Sequence, residues 1–332
     1  MHLCSPFYMV APIVHNRVFC MTQSIVPPLY AAMIAAAITA CSLAFSPAFA
    51  ADIHYDKTSL DRALTAAISD EFNGREPKAR DTFTAIVKAD LPPDLKHLQT
   101  RAKIRLTRSQ VAAGDTSAIR CDVSGLVGLA RRDSSANTEI VVDLDDLANA
   151  YLESYHTFSR ESVAPLVNCM QIRRFISPNH AHLGEVYRKL KEYEQLHGNL
   201  AKAISWQKEA TNISSQFPPG KRQMEIIDRS SLINLYLSTQ QWTEAETQGT
   251  KIIDLCQRLN CYKTHVPAAE YAVGCGQLAR HQYREAIVTL QKAREDALKA
   301  PVDLKAIAKL CEEKLKIAQA EMSKIAFDGH KH

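Results

Sequence analysis

At 332 residues, with 46% hydrophobic and 23% charged side chains, the chain has the material for a substantial core, which excludes a disordered or low-complexity protein. Its 40 Lys and Arg against 36 Asp and Glu leave a formal net charge of +4, with no basic run or aromatic-basic stripe, so nucleic acid is not an expected partner. The 11 glycines form neither a dinucleotide fingerprint nor a P-loop, and HExxH, GxSxG and CxxC are absent, so no familiar catalytic signature is present.

Between Arg17 and Asp52 no side chain is charged, and the Ala-rich stretch Leu29 to Phe45 ends in Ser46-Pro47-Ala48-Phe49-Ala50. This pattern is that of a secretory signal over 1–50, cleaved after Ala50, because Ala48 and Ala50 supply the small residues and the polar chain begins directly after them. The start is open between Met1 and Met21. Two other readings use the same residues: Ile38-Thr39-Ala40-Cys41 as a lipobox, with Cys41 acylated, or an uncleaved membrane anchor. Each places the remainder outside the cytoplasm, periplasmic or secreted, and on a membrane in the last two cases.

Residues 51–140 read as a helical N-terminal region. Leu60, Leu64, Ala67 and Ile68, then Phe83, Ile86 and Val87, then Ile119, Val123, Leu126, Val127 and Ala130 are spaced for amphipathic helices. Lys103 to Ala113 fits helix or strand.

From residue 141 to 300 the chain repeats itself. Gly198-Asn199-Leu200-Ala201-Lys202-Ala203, Gln240-Gln241-Trp242-Thr243-Glu244-Ala245 and His281-Gln282-Tyr283-Arg284-Glu285-Ala286 share a large apolar residue followed three positions later by Ala, and Ala203, Ala245 and Ala286 recur at a near-constant interval. Thirteen residues before each stands Leu190, Leu232 or Val273. Such a pattern suits antiparallel helices that cross closely at a small side chain. A weaker copy upstream has Leu147 and Tyr151, then Ser162, Leu166 and Cys169. Pairs are expected over 141–182, 183–224, 225–265 and 266–300. Apolar Leu304, Ile307, Ala308, Cys311, Leu315 and Ala318 then predict a capping helix over 301–325, and 326–332 an unstructured tail.

These residues resemble the tetratricopeptide repeats, in the long kinesin-light-chain-like variety of about 42 residues. The resemblance covers half the chain and implies an all-α solenoid that binds a protein or peptide segment in its concave groove. Lys191, Ile233 and Gly249 depart from the family pattern, Gly249 standing where a large side chain is usual. Carried onto this chain, the groove presents Asp145, Asn149, Arg188, Glu192, Gln195, Asn234 and Tyr271, of which Arg188, Asn234 and Tyr271 are expected to point into solvent.

Cys256, Cys261 and His265 fall within ten residues, a spacing open to a Cys256–Cys261 disulfide, to buried thiols, or to zinc lacking a fourth ligand. No cofactor or metal is implied. The expected function is an exported interaction scaffold or adaptor of the bacterial envelope. Its rivals are an envelope lipoprotein accessory to an assembly machine, through Cys41, and an enzyme centred in residues 52–135, where His54, His97 and Cys121 are the candidates.

Overall fold

The computed structural model describes residues 56–133, 138–157, 162–179, 182–218, 221–259 and 263–328. Expectations resting on residues 1–50, Cys41, His54 and Cys261 lie outside the described residues.

The chain divides into two units after Leu60. Of the first, the described part is the opening of α1 (Lys57–Phe72), where the Asp56 carboxylate accepts hydrogen bonds from the Ser59 amide at 2.9 Å and its hydroxyl at 2.7 Å.

The second unit is all-α among the described residues. After α1 come α2 (Glu76–Lys88), α3 (Lys96–Ala112), α4 (Thr116–Arg120) and α5 (Ser124–Asp133). Lys103 to Ala113 is thus helical through Ala112. Four helix pairs follow: α6 (Glu139–Thr157) with α7 (Ala164–Ile176), α8 (Leu183–Leu196) with α9 (Leu200–Ser215), α10 (Gln223–Ser238) with α11 (Trp242–Leu259), and α12 (Val266–Ala279) with α13 (Tyr283–Lys299). The last helix, α14 (Lys305–Asp328), runs three residues into the segment expected to be an unstructured tail. From α7 onward each helix packs chiefly on its neighbours in sequence, while α3 packs most on α6, so the unit is a solenoid of helix pairs with α3 laid against its first pair.

Small residues and a recurring stop make the pairs. Ala203, Ala245 and Ala286 are fully buried. Within three pairs the turn passes through a left-handed residue: Gly198 (φ 75°), Gln240 (φ 59°) and His281 (φ 62°). The next amide bonds back across it, Asn199 to the Glu194 carbonyl at 2.8 Å, Gln241 to Tyr236 at 2.8 Å and Gln282 to Gln277 at 2.9 Å. These bonds satisfy carbonyls that a helix end leaves unpaired.

The first pair is seated on α3 by apolar packing, in which Ile104 and Val111 join Ile140 and Leu144, and by a row of charges. Arg101, Arg105 and Arg108 lie on one stripe of α3, and Glu139, Asp143 and Asp146 on one stripe of α6. Asp143, 1% exposed, accepts from Arg101 Nε at 2.7 Å and Arg105 Nε at 2.8 Å. Arg105 also meets Asp146 at 2.9 Å, Arg101 pairs with Glu139, and Arg108 meets Glu71 of α1 at 2.7 Å.

Further on, backbones approach instead. A Cβ on Gly249 of α11 would stand 2.6 Å from the Ala269 carbonyl oxygen of α12, and one on Gly274 would stand 2.6 Å from Leu290 Cγ of α13. At Gly249 α12 occupies the volume that a side chain would need. The buried apolar residues form two main clusters, one from Ile104 to Ile213 and one from Ala203 to Leu315.

Candidate functional site

The first helices of successive pairs expose residues at one repeated spacing. Val142, Asn149 and Glu153 on α6, Glu185, Glu192 and Leu196 on α8, and Ile227, Asn234 and Ser238 on α10 fall seven and then four residues apart, which is one stripe of a helix. All are exposed except Glu185, which is half-buried. Three are apolar side chains held in water: Val142 is 59% exposed, Leu196 79% and Ile227 44%. Isolated exposed apolar residues need no explanation, but a set at fixed spacing on the first helices of successive pairs is the material of a contact surface. On α12 the stripe stops, because Cys275, which corresponds to Asn234, is buried.

Of the seven groove residues expected from sequence, Asn149, Glu192 and Asn234 are exposed on these stripes. Asn149 Oδ1 accepts from Arg173 of α7 at 2.6 Å, and Glu192 lies 3.5 Å from Lys189. Gln195 is half-buried on α8. Asp145 is also half-buried, with Arg173 Nε at 3.8 Å from its carboxylate.

The other two are corrected. Arg188 is half-buried and committed to the next pair: it donates from Nε to Asp228 Oδ1 at 2.7 Å and from its terminal nitrogen to Oδ2 at 3.1 Å. Asp228 is 1% exposed, so this ion pair ties α8 to α10. Tyr271 is 6% exposed, and burial, with the Cys275 and Cys311 thiols and Glu313 nearby, drives its hydroxyl above the usual tyrosine range. The two share one place in the repeat with Ser230, whose hydroxyl lies 3.2 Å from His265 Nδ1. That place faces the following pair. Reading missed Val142, Leu196 and Ile227, and the seven-then-four spacing is the signal that finds them.

Among the described residues, the cysteines and His97 offer little for covalent chemistry. Burial pushes the Cys169 and Cys311 thiols up to about 12 and Cys275 to about 11, away from the thiolate that a nucleophile requires. Cys121 is exposed past α4, its thiol 3.6 Å from the Asp122 carbonyl, and His97 is half-buried in the first turn of α3. Cys256 is buried on α11. Among the described residues no group of His, Cys, Asp and Glu could hold a metal ion.

No protein-family model and no curated protein matches the sequence. Among solved structures, the chain is similar to the apo form of RapI, at 10% identity and TM-score 0.42 over 80% of this chain and 72% of that one. It is similar to aspartyl phosphate phosphatase F from Bacillus subtilis at 12% identity and TM-score 0.37, over 83% and 77% of the two chains. A third is the TPR2AB domain of yeast Sti1 in complex with pHSP90, at 14% identity and TM-score 0.32 over 80% and 100%. At these scores the architecture is read from the chain's own helices.

Proposed function

We propose that the protein is a tetratricopeptide-type scaffold that binds a segment of another protein along the exposed face of α6, α8 and α10. The observation that carries this reading is the triple stripe, in which Val142, Leu196 and Ile227 offer apolar anchorage and Asn149 and Asn234 offer amides that both donate to and accept from an extended backbone. Intervals of 42 and 41 residues between Ala203, Ala245 and Ala286 support the long, kinesin-light-chain-like variety. A scaffold is favoured over an enzyme because an exposed face repeated on successive helix pairs suits recognition of an extended partner.

Export to the bacterial envelope is part of the same proposal, supported by the uncharged stretch before Ala48-Phe49-Ala50. None of the described helices is long and apolar enough to cross a membrane. Intact-mass measurement of the exported protein is expected to give a chain beginning at Ala51; a chain beginning at acylated Cys41 would make it a lipoprotein instead.

The binding face is tested by photo-crosslinking in envelope extract. Replacing Glu192, Leu196 and Asn234 together with Ala is expected to abolish a crosslink that survives Ala at the exposed Lys202, Lys208 and Glu285 on the second helices, with unchanged helical signal in both. If the second set is the damaging one, the face is wrongly assigned.

A further inference from the structure

One position of the repeat differs in character at one junction of the stack. Equivalent positions on the second helix of each pair and on the helix that follows hold Leu166 and Val186, Gln207 and Asp228, Gly249 and Ala269, and Leu290 and Cys311, with the Gln207–Asp228 and Gly249–Ala269 couples in direct contact. Three of the four couples consist of apolar or small residues. The remaining one is polar and buried, with Gln207 and Asp228 each 1% exposed. Gln207 Nε2 donates to the Asp228 carbonyl at 3.2 Å and to its carboxylate at 3.1 Å, while Gln207 Oε1 is buried without a hydrogen bond.

The stripe stays polar along α9, where Thr211 and Ser214 are buried and donate to carbonyls of their own helix, at 2.8 Å and 3.1 Å, rather than across the seam. Arg188 closes the seam from α8, and Lys191 stands beside it, its ammonium disfavoured by burial and favoured by Glu192 and Asp228. At this place the apolar core also divides. Ala203 and Ile204 at the start of α9 belong to the C-terminal cluster, Ala210 and Ile213 to the N-terminal one, and Gln207 lies between them.

In a stacked-repeat protein the cooperativity of the whole depends on the coupling between adjacent repeats, and buried apolar area is its main source. A seam of polar groups loses little on opening, since water replaces the hydrogen bonds it breaks. We infer that the stack is articulated at α9, with α3 to α8 and α10 to α14 opening and unfolding as two separately cooperative bodies joined by a polar hinge. Resting on the binding face proposed above, a partner that contacts both Leu196 on α8 and Ile227 on α10 would fix the angle between those bodies.

Hydrogen exchange followed by mass spectrometry on the full chain, without partner, tests the hinge independently of the binding face. Peptides of α6 to α8 and of α10 to α13 are expected to show opening constants that differ by about tenfold or more and separate urea transitions. Gln207→Leu combined with Asp228→Leu and Arg188→Met, which makes the seam apolar at similar volume, is expected to merge the two transitions. Equal opening constants and one shared transition in the wild-type protein overturn the inference, as does a folded triple variant whose transitions stay apart. Should the triple variant fail to fold, Gln207→Leu alone is expected to narrow the wild-type gap, and an unchanged gap counts against the hinge.

Discussion

The two ends of the stack solve one problem, seating a helix against its neighbour, with opposite chemistry. Between α3 and α6 the join carries a row of guanidinium groups against a row of carboxylates, with Asp143 at its centre. Between α11, α12 and α13 it is a close approach in which Gly249 and Gly274 leave no room for a side chain. A charged join fails when one partner is lost, because the other stays buried and unpaired; a close-packed join fails when an atom is added. The same kind of substitution should therefore act differently at the two ends.

The largest effect is expected from Asp143→Ala, which strands Arg101 and Arg105 and should cost about 3–5 kcal/mol of stability, read from the urea midpoint. Adding Arg101→Met and Arg105→Met should recover most of it. Failure to recover would mean that packing at Asp143, and not charge, holds the join.

Next comes a substitution whose sign depends on the region. Gly249→Ala is expected to destabilise by about 1–3 kcal/mol, since the new Cβ meets a backbone carbonyl. Gly128→Ala on α5, where nothing lies within 4 Å, is expected to stabilise by about 0.5–1 kcal/mol through helix propensity. Thermal melts that move in one direction for both would remove the distinction drawn between the ends.

The smallest effect concerns the helix stops. Toward the N-terminus the left-handed residues are Gly74, Gly114 and Gly198, but toward the C-terminus they are Gln240 and His281. Gln240→Gly is expected to raise stability by under about 1 kcal/mol, the relief of a strained φ offset in part by the greater freedom of glycine in the unfolded chain. A lower melting temperature would show that the Gln240 side chain holds the turn.

The repeat was legible because Ala203, Ala245 and Ala286 mark crossings where only a small residue fits, a constraint that local sequence displays directly. α3 was not, since the face it turns to α6 carries Arg101, Arg105 and Arg108, and a search for apolar periodicity passes over an arginine stripe. The candidate face was half legible. Asn149, Glu192 and Asn234 are exposed, whereas Arg188 and Tyr271 look equally suited to solvent until the neighbouring pair supplies Asp228 for one and a cover for the other. A polar side chain does not announce whether its partner is water or the next repeat. Gly249 was visible as a departure, but the backbone that occupies its side-chain volume lies on a different helix.

The arginine row on α3 also decides where along the stack that helix can dock. Pairs of similar shape offer several berths for one incoming helix, and apolar surfaces alone distinguish them poorly. The places held on α6 by Glu139, Asp143 and Asp146 are held by His182 just before α8 with Val186 and Lys189 on it, and by His265 just before α12 with Ala269 and Ala272 on it. A slip onto either would bury two guanidinium groups with no carboxylate to receive them. On α10 the one acid of the set, Asp228, is already taken by Arg188. Among the first helices of the pairs, the charge row thus matches the set of carboxylates that α6 presents, a complementarity that sets this berth apart from the others.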